Sequence, residues 1–256
     1  MCFDGLDFSI TGIQVSDHLS HERFRNEDLY FHDRIEKIGL GVVQGVFTGH
    51  GCADLVGQFG SVRLAKGAAD KHGVDIDEAG LADYGKPGNY FQRQFDRWAG
   101  QYRASETHRI EAMETLMASL GESIPEDDGR VSLVHGDYRL DNLIFDRKEP
   151  KAVALLDWEL STIGHPLADV GYFLMPYRLD AAVFPWGIQG VDADAIGIPP
   201  EQALLETYAR SAALDEVPAI DFYIAFAMFR LAAILAGVLR RGLDGNASDP
   251  RAVEQG

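Results

Sequence analysis

The strongest constraint on this chain lies between Ser132 and Trp158. A short apolar run, Ser132-Leu133-Val134, leads into His135-Gly136-Asp137-Tyr138-Arg139-Leu140-Asp141-Asn142. A second run follows at Asn142-Leu143-Ile144-Phe145, and a third, Val153 to Leu156, ends at Asp157-Trp158. Apolar runs this short, each bounded by polar or turn residues, read as strands, and the polar groups at their ends fall on the rim of one small sheet. The sequence therefore predicts an α+β chain in which three short strands present a polar site.

Helical periodicity surrounds this unit. After the turn cluster Tyr84-Gly85-Lys86-Pro87-Gly88, residues Phe91, Phe95 and Trp98 recur at i, i+4 and i+7, predicting a helix from about Tyr90 to Tyr102. Further helices are expected over Arg109 to Leu120, with Met113, Leu116 and Leu120 inward, over Ala168 to Met175 and over Pro200 to Ala213. The last runs from Asp221, a plausible N-cap, to Arg241, with Gly242 as its stop. Its segment Phe222 to Leu239 is apolar enough to suggest a membrane span. Arg230 in its middle and the charges at Asp221, Arg240 and Arg241 favour a buried helix instead.

A chain of 256 residues with 46% hydrophobic residues can bury a large core, as one domain or two small lobes. The net charge of -17 argues against nucleic acid and anionic membrane surfaces, whose recognition is built on Lys and Arg clusters. A nucleotide stays compatible, because Mg2+ can supply positive charge at the phosphates. Cys2 and Cys52 form no metal or redox spacing, and the N-terminus has no basic flank before an apolar run, so a cytoplasmic setting is expected.

Transfer of a phosphoryl group from ATP to a hydroxyl needs a carboxylate near the attacking oxygen, ligands for Mg2+ and cations on the phosphates. Asp137 stands five residues before Asn142, the kinase spacing in which the Asp accepts or orients the substrate hydroxyl and the Asn binds metal. Asp157, fifteen residues past Asn142 at a strand end, fits the second metal ligand. His135 reads as structural, holding the loop through a side-chain hydrogen bond. Trp158 reads as sheet packing.

These residues resemble the aminoglycoside phosphotransferase and choline kinase-like superfamily, whose loop reads HGDxxxxN and whose metal Asp sits in (I/L)DW or (I/L)DF. Glu159 to Asp169 is similar to the family segment ending in G(D/H)PxxD, where Asp169 would brace the catalytic loop. The segments Gly80 to Tyr90, Arg139 to Asn142 and Phe229 to Ile234 resemble most closely the phosphotransferase domains related to those fused to acyl-CoA dehydrogenases. The resemblance spans about residues 72 to 250. It implies a protein kinase-like fold with a mostly helical C-terminal lobe, ATP and Mg2+ as cofactors, and a small-molecule hydroxyl substrate, with a hydroxylated acyl-CoA type as the first class to test.

Three residues keep two readings each. Asp141 joins the metal shell or is a surface carboxylate. Arg139 meets a substrate phosphate or carboxylate, or pairs with Asp169 or Glu159. Arg230 has a carboxylate partner or faces the substrate cleft.

Residues 72–256 thus form the expected C-terminal lobe, and residues 1–71 a truncated or unrecognisable nucleotide-binding lobe. Gly39 to Gly45 is a faint glycine loop and Arg63 to Lys66 a faint lysine strand, and only about a dozen residues separate Lys66 from the Gly80 segment. A shortened lobe, an unrelated sequence and a replacement that no longer transfers phosphate are the three explanations. The alternatives to a kinase are a pseudokinase or binding module without turnover, and a metal-dependent hydrolase using His135, Asp137 and Asp157.

Overall fold

The computed structural model describes residues 67–145, 152–184, 186–193, 195 and 197–246. The faint glycine loop, the lysine strand and almost all of the region 1–71 lie outside the described residues.

Five helices carry most of the core. Helix α1 (Tyr90–Ser105) starts where two left-handed residues, Gly88 and Asn89, redirect the chain, a backbone that glycine and asparagine tolerate best. It buries Phe91, Trp98 and Tyr102, which share one face at spacings of seven and four. Phe95, expected beside them, is only partly buried. Helix α2 (Glu111–Glu122) buries Met113, Met117 and Leu120. Helix α3 (Leu167–Leu174) and helix α4 (Glu201–Ser211) follow, and α5 (Asp221–Leu243) runs through the centre.

Helix α5 packs against α1, α2 and α3. The Phe91 ring lies 5.1–5.5 Å from those of Phe222, Tyr223 and Phe226, and Phe229 is wholly enclosed. Each such side chain contributes roughly 1.5–3 kcal/mol through burial. A Cβ on Gly171 of α3 would stand 2.6 Å from the Tyr223 backbone, so glycine is what lets α3 and α5 touch. With a mean hydropathy of 2.1, α5 is long and apolar enough to cross a membrane, and here its apolar face is packed in the core. Asp221 is its first residue and makes no capping bond, the preceding position being Ile220, and the helix continues past Gly242 to Leu243.

The strands depart from the expected single sheet. There are four among the described residues, in two antiparallel pairs. Strand β1 (Ser132–Val134) pairs with β4 (Thr162–Gly164), and β2 (Leu143–Phe145) with β3 (Ala152–Leu155). Pairing with β1 makes a strand of Thr162–Gly164, where none was expected. Asn142, expected to open a strand, instead closes a short 3-10 turn over Leu140–Asn142. Trp158 packs with Leu81, Leu133 and Ile163 in a small core beneath these ribbons.

Candidate active site

The His135–Asn142 segment leaves β1 at Val134, turns at Gly136 and enters the 3-10 turn. Gly136 has φ +83°, and a Cβ there would lie 2.5 Å from the Leu160 carbonyl oxygen, so this turn requires glycine. The loop backbone hangs on Asp169 of α3. The His135 amide donates to Asp169 Oδ2 at 2.7 Å and the Gly136 amide to Oδ1 at 2.8 Å. Asp169 has no solvent exposure. Burial pushes its carboxyl pKa up, but the Lys71 charge beside it outweighs this and holds the carboxyl well below the usual range.

His135 fixes the loop from within. Its Nδ1 accepts the Asp137 amide at 3.2 Å, which leaves Nε2–H to donate to the Leu156 carbonyl at 2.7 Å. Burial is the main cause that lowers its pKa, so the ring is neutral at pH 7. The Leu156 amide in turn donates to the Asn142 carbonyl at 2.7 Å. Both backbone polar groups of Leu156 are therefore tied to the loop, one near each end. Asp157 follows immediately, exposed, with φ 62° and ψ 54°. Left-handed backbone is uncommon outside glycine, though aspartate tolerates it better than most residues.

Asp137 is half-buried, and the Asn142 amide nitrogen donates to its carbonyl and its carboxylate, each at 2.8 Å. With both amide hydrogens so engaged, Asn142 has its side-chain oxygen to offer a cation. The Tyr172 hydroxyl is also hydrogen-bonded to Asp137, and its pKa is pushed up to about 12, by burial first and then by the Asp137 charge. Asp137 and Asn142 are thus joined by hydrogen bonds, and Asp157 follows directly on Leu156, whose backbone is tied to the same loop. The oxygen donors of Asn142 and Asp157 suit Mg2+, a hard cation that takes few protein ligands and keeps several waters. No group of three His, Cys, Asp or Glu side chains that could hold a metal occurs among the described residues. A multi-ligand hydrolase centre would need such a group.

The arginines differ from expectation. Arg139 pairs with Asp141 at 2.5 Å, not with Asp169 or Glu159, and also hydrogen-bonds Tyr172. Asp141 is accordingly an exposed partner of Arg139. Among the described residues the Arg230 guanidinium meets no carboxylate. It donates to the Gly136 carbonyl and lies over the rings of Trp98 and Tyr172, 5.2 and 5.3 Å from their centres. Such contacts stabilise a desolvated guanidinium in place of a counter-ion.

Sequence reasoning missed Lys71, His72 and Tyr172. The i, i+3 spacing of Asp169 and Tyr172 puts them on neighbouring positions of α3 and could have flagged Tyr172. Nothing local marks Lys71, whose partner Asp169 is 98 residues away.

A helical lobe that hangs an HGD loop on a buried aspartate, and ties the asparagine of that loop to the backbone preceding a strand-end aspartate, defines a kinase-like phosphotransferase. The profile of the APH phosphotransferase enzyme family matches residues 61–211, and the chain belongs to that family. Over 187 residues it is 43% identical to mouse acyl-CoA dehydrogenase family member 10, covering 72% of this chain and 17% of that protein. Over 181 residues it is 39% identical to human acyl-CoA dehydrogenase family member 11, covering 70% of this chain and 23% of that one. The chain therefore spans less than a quarter of these two curated relatives. A candidate aminoglycoside phosphotransferase from Ralstonia eutropha superposes with a TM-score of 0.75 at 42% identity, covering 84% of this chain and 67% of the other. A macrolide 2'-phosphotransferase type I shares the fold, with a TM-score of 0.55 at 18% identity, covering 84% of this chain and 63% of that one.

Proposed function

We propose that the chain acts in ATP- and Mg2+-dependent transfer of the γ-phosphoryl group to a hydroxyl of a small molecule. The observation that carries this reading is the double tie of Leu156, which binds the loop of Asp137 and Asn142 to the backbone preceding Asp157. In this reading Asp137 accepts or orients the acceptor proton, and Asn142 and Asp157 hold the metal. Mg2+ bound there supplies charge neutralisation at the phosphates.

A cavity of about 140 Å³ adjoins the loop and supports an acceptor that is largely apolar. Arg139, Leu140 and Tyr172 line it on the loop side, and Met175, Trp186 and Leu204 on the other. The walls are largely apolar, with the Arg139–Asp141 pair as the charged part of the lining, which suits an acyl chain bearing a hydroxyl, so a hydroxyacyl-CoA-type acceptor is the first to test. Arg139 is the proposed contact for an anionic group of the substrate, which would compete with Asp141 for it. Arg230, engaged with Gly136, is proposed to act on the substrate only through the loop. Nucleic acid and membrane are not among the proposed partners, and the cytoplasm is the proposed compartment.

Calorimetry with ATP analogues and Mg2+, using Asp157→Ala as control, tests the first step. Phosphate transfer to hydroxyacyl-CoA tests the second. Nucleotide binding that is absent, or unchanged in Asp157→Ala, removes the kinase reading for this chain.

A further inference from the structure

Lys71 is a buried cation beneath the catalytic loop, in the helical segment 67–72 whose Ala68 and Ala69 join the main core. Its ammonium has three hydrogens and three acceptors: Asp169 Oδ2, the Leu133 carbonyl at 3.2 Å and His72 Nε2 at 2.9 Å. Burial lowers the Lys71 pKa and the Asp169 charge opposes that, while the three acceptors suit the charged form, since a neutral amine has only two hydrogens. Because His72 Nε2 accepts from Lys71, its Nδ1–H donates to the Tyr208 hydroxyl at 2.9 Å, and the imidazole is neutral. The Tyr138 ring closes the other side, 5.3 Å from the ammonium.

Among the described residues Asp169 is the carboxylate of this enclosure, and both its oxygens are used to hold the backbone at His135 and Gly136. A buried carboxylate without a counter-charge protonates or leaves its partners unsatisfied. We propose that Lys71 is a positioning residue: it is the counter-ion that keeps Asp169 ionised in the core, and through Asp169 it fixes the loop that carries Asp137. It touches neither substrate nor reacting atoms. The assignment rests on the phosphotransfer reading only for what the loop does, and its test needs no turnover.

Among the described residues, the other titratable groups that act on Asp169 or feel its charge are His72 on the same segment, His135 and Tyr138 on the loop, Tyr208 on α4 and Tyr90 on α1. Asp70 acts from further off, on Tyr138. His72, lowered to about 4 by burial and then by the Lys71 charge, is the group able to replace the lost cation by taking up a proton. In Lys71→Met, the Asp169 and His72 pair therefore holds a proton in the folded state that the unfolded state releases. Stability from that proton is present at low pH and is lost as pH rises.

The test compares full-length wild type with Lys71→Met in denaturant unfolding from about pH 5 to about pH 9, together with amide hydrogen exchange at His135 and Gly136. The expected result is a stability gap that widens as pH rises, and exchange at both amides faster by at least about tenfold at the alkaline end. A gap independent of pH with unchanged exchange assigns Lys71 to packing alone and overturns the proposal. If Lys71→Met does not fold at any pH, Lys71→Arg decides. A folded Lys71→Arg whose stability tracks wild type across the range supports the counter-ion role, and an unfolded one overturns it.

Discussion

The Asn142 amide donates to the backbone carbonyl and to the carboxylate of Asp137, at 2.8 Å in both cases. The residue proposed to hold metal is thus the residue that orients the proposed base. Asp137→Asn would place an amide against an amide at this point and remove the proton acceptor. Turnover should fall by about 100- to 10,000-fold, the usual contribution of a general base, while nucleotide affinity changes little. Steady-state kinetics beside calorimetry measures both, and turnover within a few-fold of wild type would show that Asp137 is not the acceptor.

Stability should decline in mild acid because buried histidines stay neutral in the fold. Burial is the first cause that lowers His72, His135 and His165, with His72 at about 4. A depressed pKa means that the unfolded chain takes up the proton first. The stabilisation is therefore complete above the unfolded value of 6.5 and is lost as pH falls toward 4. For His72 the difference amounts to about 3 kcal/mol. Urea unfolding at successive pH values checks this, and His72→Gln should flatten part of the slope.

Gly136→Ala should be disproportionately harmful for so small a change. The positive φ strains any side chain, and the new Cβ collides with a backbone carbonyl that cannot rotate aside. A loss of about 1–3 kcal/mol is expected, accompanied by displacement of Asp137. Thermal unfolding and turnover should fall together, and a variant with wild-type Tm would place the collision elsewhere.

Trp186→Ala should separate acceptor binding from nucleotide binding. The ring borders the apolar cavity, and its loss should raise KM for an acyl acceptor roughly tenfold, leaving the nucleotide Kd unchanged. An equal effect on both would mean that the cavity serves the fold and not the acceptor.

Much of the helical frame was legible because it is written locally. Phe91 and Trp98 announce the buried face of α1, and the apolar run after Asp221 announces α5. The approach of Asn142 to Asp137 was legible for a related reason: five residues separate them on one tight loop, and the amide reaches back across it. The fourth strand was not, since Ser161-Thr162-Ile163-Gly164 has one apolar residue and becomes a strand only when Ser132 to Val134 lies beside it. Lys71 was illegible for the strongest physical reason. Lysine is normally exposed, and its burial depends on a carboxylate supplied much later in the chain. The acceptor cavity likewise draws its walls from residues as far apart as Arg139 and Leu204.

The place of α5 in the chain has a consequence for biosynthesis. On the ribosome, α1, α2 and α3 are made before the helix that covers their apolar faces. Until α5 arrives, those faces stay uncovered, and α5 itself emerges with the hydropathy of a membrane anchor. Folding is thus completed late, by capture of this one segment. Chains interrupted before Asp221 should engage chaperones or aggregate, even though Asp137, Asn142 and Asp157 are already present.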